Sequence, residues 1–396
     1  MLSMCIAALS SAHVRRYLPP HELLVGYATA CPSTNVVPSV KDGVNVLIWF
    51  ESSLLVVGGE PIVSTGLNFS CIAAVANELA AAQYKTTHML SIGGWDAPHP
   101  NTSLSGVEWW RVWKTWNTDV VARDGWSGFD GIDWDLEGND ASASQWNVFS
   151  AACLRLVAAM SRAAHDDGFI VSLVPPQTYL DPTNARFDRS LRHADGEGWK
   201  PDFHYHSWNA YAALLTPELA GPLGGAIYDF ISIQLYESWA PADYATVVAM
   251  EPAGAYLRRW AASCNAGWEI AFASGDPALG VANQTVAVAP SQLVLGLSRG
   301  SAAPPSSSAG KSVYFAPQTV RSAWGAAPRR DRSVAVLGED AALGLAQRLR
   351  GVMWWEIEID DGAVNGSTST SDCRFSACFG AFVPTRNGSE RRACAC

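Results

Sequence analysis

The chain has 396 residues, of which 48% are hydrophobic and 16% charged, with a formal net charge of −10. That apolar share is ample for a large core, and charge this sparse excludes disorder over most of the length. The acidic balance argues against nucleic acid as a partner, because phosphate binding needs a basic surface, and no run of about 18 apolar residues is present to span a membrane. A prior of about 150 residues per domain would give two or three domains, but a single barrel can use ~250 or more.

Residues 1–21 form an N-terminal segment. Met1 to Ala12 is mostly apolar and ends in small residues, yet lacks a basic start, so it reads as the remnant of a signal peptide or as an unstructured start. Residues 23–28 and 44–50 are apolar and β-rich, and 70–84 reads as an Ala-rich helix. A third strand, 88–95, ends in Gly93 and Gly94, which suggests a sharp turn or a close backbone approach. Trp109, Trp110, Trp113 and Trp116 follow at spacings of three and four. That spacing gathers most of them on one helix face, and packing against a sheet is favoured over sugar binding.

The stretch Gly128 to Asn139 sets the chemistry. Asp133, Asp135 and Glu137 alternate with Ile132, Trp134 and Leu136. On a strand, the three acids would share one face and the three apolar residues the other. Like charges this close cannot all stay ionised, so at least one carboxyl should titrate high. Calcium loops also space acids by two, but they interleave Gly, Asn and polar residues rather than Ile, Trp and Leu. A helix entry at 140–144 and a helix over 146–164 come next.

A fifth strand, 169–174, runs into Pro175, Pro176 and Gln177. Residues 181–225 read as a long insertion shaping a cleft; His204 and His206 within it lack a third metal ligand. A sixth strand places Ser232, Gln234 and Tyr236 on one face. Strands at 293–297 and 350–357 complete an alternation of strand and helix that argues for a parallel sheet, and 301–310 is a flexible loop.

Nine cysteines are present, four of them (Cys373, Cys378, Cys394, Cys396) crowded at the end without His or paired zinc spacing. That cluster reads as a disulfide-stapled tail. Sequons at Asn68, Asn101, Asn283, Asn365 and Asn387, with the cysteines, lean towards a secretory route.

The acidic stretch resembles the signature of glycoside hydrolase family 18, Asp-x-x-Asp-x-Asp-x-Glu, with Asp130, Asp133, Asp135 and Glu137 at its acidic positions. Ser91, Gly93 and Gly94 match the family's Ser-x-Gly-Gly, and Trp355 falls at the Trp of its closing Gly-Val-Met-x-Trp. Pro175, Pro176 and Gln177 resemble an Ala-Pro-Gln variant. Gln234 and Tyr236 match Gln-x-Tyr-Asn, with Glu237 departing from the usual Asp or Asn.

The resemblance implies an α/β fold: a (β/α)8 TIM barrel over 22–362, followed by a short cysteine-rich C-terminal tail, 363–396. It implies substrate-assisted, retaining hydrolysis of β-1,4-linked N-acetylglucosamine, in which the substrate's 2-acetamido oxygen attacks the anomeric carbon. Glu137 would be the general acid and later base, Asp135 would orient the acetamido group, Asp133 would tune Asp135, and Tyr236 would donate to the acetamido oxygen. Gly93, Gly94, Trp95, Gln177, Gln234 and Trp355 would bind substrate, Trp355 by stacking under the reactive sugar. Asp130 and Ser91 would be architectural. The expected partner is chitin or another N-acetylglucosamine-containing oligosaccharide, met by a secreted monomer needing no metal or organic cofactor. An endo-β-N-acetylglucosaminidase acting on N-glycans, and a chitinase-like lectin, stay open as alternatives. Such lectins typically lose the acid, which is present here.

Overall fold

The computed structural model describes residues 15–139, 141, 143–191, 208–236, 240–298, 315–325, 344–359 and 374–380. Its strands are β1 (Leu23–Ala28), β2 (Val46–Val57), β3 (Glu60–Thr65), β4 (Thr87–Gly94), β5 (Gly131–Leu136), β6 (Ile170–Leu173) and β7 (Phe230–Gln234), then β8 (Trp268–Ile270), β9 (Gln284–Val286), β10 (Leu293–Ser298) and β11 (Gly351–Trp355). The major helices of the first half are α1 (Val36–Asp42), α2 (Phe69–Ala81), α3 (Gly106–Trp116) and α4 (Ala151–Asp166).

Eight of these strands pair in parallel in the order β1-β11-β10-β7-β6-β5-β4-β2, and β2 returns to β1. The sheet therefore closes into the expected (β/α)8 barrel. Alternation decides what lies inside. Leu23, Val25 and Tyr27 of β1 join Val46, Ile48, Met89, Phe230, Val294 and Met353 in an inner cluster. Ile132, Trp134 and Leu136 of β5 point outward into the larger core under the helices, where Trp134 Nε1 donates to Ser161 Oγ of α4 at 2.9 Å.

The helix boundaries follow their caps. Ser105 and Glu108 form a reciprocal capping box at the start of α3. Trp109, Trp110 and Trp113 are then buried, with Trp110 and Trp113 stacked at 5.2 Å. α4 begins at Ala151 rather than near residue 146, because Ser150 Oγ accepts from Cys153 N at 3.0 Å. Before it stands only a three-residue turn, Gln145–Asn147. The Asn147 side chain there is committed to Asn139 N and Ala141 O.

Two hairpins were not expected. β2 continues past residue 50 and folds back on β3, pairing Ser52 with Thr65 through to Val57 with Glu60. Gly58 (φ 61°) and Gly59 (φ 90°) supply the two positive φ angles that such a two-residue turn demands. The second hairpin pairs β8 with β9.

Cys31 and Cys71 form a disulfide with Cα atoms 5.8 Å apart, tying the loop after β1 to α2, while Cys153 and Cys264 are buried free thiols. Part of the cysteine-rich tail is described: a helix, Phe375–Gly380, whose Phe375 and Phe379 lie 5.6 and 6.5 Å from Trp354. Cys373, Cys394, Cys396, His204, His206, Glu237, the loop 301–310 and the sequons at Asn365 and Asn387 lie outside the described residues. Among those described, no helix is long and apolar enough to cross a membrane.

Candidate active site

The acids of β5 climb the inner wall of the barrel. Asp130 stands just before the strand, where Oδ2 accepts from His88 N at 2.9 Å and Oδ1 lies 3.7 Å from Arg16. Burial raises its carboxyl to about 6, opposed by the His88 bond and the Arg16 charge. This end is opposite the strand's C-terminal end, where barrel chemistry sits.

Asp133 is fully buried within the barrel. Tyr27 Oη donates to its Oδ2 and Ser172 Oγ to its Oδ1, each at 2.5 Å, while Ser91 Oγ stands 3.5 Å from Oδ2. Ser91 and Ser172 are its register partners on the flanking strands. Burial outweighs these donors and lifts the Asp133 carboxyl to about 6.

Asp135 and Glu137 stand at the mouth, 5% and 6% exposed. Their carboxyls hydrogen-bond to each other, which requires a proton between them. Gln234 Nε2 reaches Asp135 Oδ1 at 3.1 Å, Glu137 Oε1 at 3.2 Å and Val174 O at 2.8 Å. An amide has two hydrogens, so Val174 takes one and the two carboxyls divide the other. Burial raises the Glu137 carboxyl, the bonds from Asp135 and Gln234 oppose it, and the charge of Asp96 pushes it further up. The arrangement is a buried carboxyl pair sharing one proton at the barrel mouth, where such a pair can give or take a proton.

The other expected residues separate into groups. Gly93 has φ 108° and a Cβ there would meet Asp135 O at 2.3 Å; Gly94 has φ 124° and a Cβ would strike the Phe50 ring at 2.5 Å. Both positions need glycine: Gly93 lets β4 lie close beside the acidic strand, and Gly94 leaves room for the Phe50 ring of β2. Tyr236 is buried in the inner cluster beside Tyr27. Trp355 is half-buried, 5.7 Å from Tyr27 and edge-on to Phe50 at 4.8 Å. A cavity of about 510 Å³ opens next to it, walled by Phe50, Glu51, Asn68 and Glu356. Trp95 is half-buried after β4.

Gln177 stands apart. It is 2% exposed, its Nε2 donates to Tyr256 Oη at 2.6 Å and its Oε1 accepts from Ala242 N at 2.9 Å. These two bonds tie the loop after β6 to Tyr256 and to the backbone of Ala242. Tyr27 and Ser172 were legible as inward residues of β1 and β6 but were not singled out; His99 and Tyr211, which bond the backbone of Glu137 and Leu136, gave no periodic signal. Among the described residues no group of three His, Cys, Asp or Glu is placed to hold a metal ion.

No protein-family model matches the sequence, and no curated protein matches it. Solved structures do match. A family GH18 chitinase from Chromobacterium violaceum is 19% identical, with 92% of this chain and 84% of that chain covered and a TM-score of 0.57. The catalytic domain of a hyperthermophilic chitinase from Pyrococcus furiosus is 12% identical over 93% of this chain and 96% of that chain, at a TM-score of 0.46. A xylanase and alpha-amylase inhibitor protein from Scadoxus multiflorus is 15% identical over 86% and 94%, at 0.45. The likeness to the first is one of fold: this chain has the (β/α)8 barrel of a family 18 chitinase.

Proposed function

We propose that this chain is a family 18 glycoside hydrolase that cleaves β-1,4-linked N-acetylglucosamine in chitin or chitooligosaccharides. The observation that carries the reading is the Gln234 amide shared between Asp135 Oδ1 and Glu137 Oε1, 3.1 and 3.2 Å away, with the two carboxyls bonded to each other. It joins two carboxyls that share a proton, so one can deliver a proton while the other turns towards an acetamido group.

In this reading Glu137 protonates the glycosidic oxygen, the acetamido oxygen of the substrate closes on the anomeric carbon, and Asp135 stabilises the acetamido N–H as positive charge develops. Asp133, held by Tyr27 and Ser172, lies deeper and tunes Asp135. Tyr236 donates to the acetamido oxygen, and Trp355 with Phe50 beside it gives the sugar an apolar floor. The later attack by water regenerates Glu137 as acid. No cofactor takes part. The Cys31–Cys71 disulfide supports a secreted protein.

Product analysis on chitin oligosaccharides beside a high-mannose glycoprotein tests the reading. Cleavage of the oligosaccharides supports it, cleavage of the glycoprotein alone moves the substrate to N-glycans, and binding without any cleavage makes the barrel a lectin.

A further inference from the structure

The strand that carries Glu137 outruns one of its neighbours. Against β4, β5 pairs as far as Leu136, opposite Gly94; against β6 the pairing stops at Trp134, opposite Leu173. The N–H and carbonyl of Leu136 therefore face a side where no strand continues, and buried backbone groups need partners.

Two side chains supply what the sheet does not. Tyr211 Oη accepts from Leu136 N at 2.7 Å and donates to Leu136 O at 3.0 Å. Its ring is fully buried and stacked between Phe149 at 5.6 Å and Tyr179 at 6.1 Å. One residue on, His99 Nε2 lies 2.9 Å from Glu137 O. A carbonyl only accepts, so Nε2 carries the proton; burial keeps this imidazole below its usual range, and it is neutral near pH 7. The His99 ring is itself wedged against Trp146 and Phe149, at 5.6 and 5.2 Å.

We propose that Tyr211 and His99 are positioning residues for Glu137, Tyr211 standing in for the missing strand at Leu136 and His99 holding the Glu137 carbonyl, so that together they fix the direction of its carboxyl. The inference rests on the reading of Glu137 as the acid. A misplacement of about 1 Å at a reacting group can cost ~10²-fold in rate, and the two bonds to Leu136 and the one to Glu137 add to the β4 pairing in holding this backbone against such a shift.

The test is Tyr211→Phe, which keeps both ring stacks and removes only the hydroxyl, with His99→Ala and His99→Gln. Turnover of a chitin oligosaccharide should show kcat down about 10²-fold in Tyr211→Phe and in His99→Ala, with KM held within about threefold. His99→Gln, whose amide can donate from the same place, should recover most of the loss. Tyr211→Phe that melts lower yet keeps the parent kcat overturns the proposal, as does a Gln variant no better than Ala. Amide exchange at Leu136 and Gly138 separates this from the functional reading. If the parent cleaves no N-acetylglucosamine linkage, the functional reading falls, and the positioning role is decided by exchange alone: faster by about tenfold or more in Tyr211→Phe sustains it, and an unchanged rate overturns it.

Discussion

Tyr27 of β1 donates its hydroxyl across the barrel to Asp133 of β5 at 2.5 Å. The bond links the wall that carries Trp355's aromatic neighbours to the wall that carries the acids. It also gives a fully buried carboxyl one of its close donors.

Tyr27→Phe keeps the ring against Trp355 and removes that donor. The Asp133 carboxyl, already lifted to about 6 by burial, should rise further, and leaving Oδ2 poorly partnered should cost roughly 1–3 kcal/mol. The acidic limb of the activity profile should move to higher pH and kcat should fall by about tenfold or more. A pH–rate profile checks this; a profile identical to the parent's would separate Asp133 from catalysis.

Asp130 gives a stability prediction. Its carboxyl is raised to about 6 when folded, against about 3.9 unfolded, so folding takes up a proton between those values. The stability this contributes is full below about pH 4 and is lost as pH rises through about 6. Asp130→Asn cannot titrate and can still accept from His88 N. The variant should gain on the parent by roughly 1–2 kcal/mol between pH 4.5 and 7.5, a figure reduced because Asp130 is partly open to solvent. Melting temperatures across that range check it, and a constant difference would contradict it.

How much of this was open to reading in the sequence depends on what each residue talks to. The alternation around Asp133 placed the acids inside the barrel and Trp134 outside it, because a strand's two faces are written directly in its residue order. Gly93 and Gly94 were legible because only glycine tolerates their φ angles and the nearby Asp135 carbonyl and Phe50 ring. The continuation of β2 was hidden by Glu51, Ser52 and Ser53, which break the apolar run where the strand leaves the barrel. Tyr211 and His99 were hidden more deeply. Their partners are backbone atoms of Leu136 and Glu137, and every residue has those, so no side-chain pattern marks them. Gln177 has partners that its residue type alone does not reveal, Tyr256 Oη and the Ala242 N–H.

The disulfide should matter to stability and little to chemistry. Cys31 and Cys71 are 40 residues apart, and closing a loop of that size stabilises by roughly 2–4 kcal/mol. Cys31→Ser with Cys71→Ser should lower the melting temperature by several degrees with kcat near the parent value. The parent in reductant should approach the same melting temperature; an unchanged melting curve would argue against the linkage.

Asp135 should act through the acetamido group. A thiazoline mimic of the cyclised intermediate should inhibit strongly, because an enzyme binds transition-state-like species more tightly than substrate. Asp135→Asn should lower turnover and weaken that inhibitor together. Labelling of Asp133 or Asp135 by a 2-fluoro glycoside would instead reveal a covalent glycosyl-enzyme.

The most direct measurement is turnover and binding of a chitin oligosaccharide by Glu137→Gln. The amide can keep its contact with Gln234 but has no acidic proton to deliver, and general acid catalysis is worth about 10²–10⁴-fold. The expected result is binding within a few-fold of the parent, by calorimetry, with hydrolysis lower by at least about 10²-fold. Parent-like hydrolysis by a pure Glu137→Gln preparation would contradict the assignment of the acid and, with it, the proposed function.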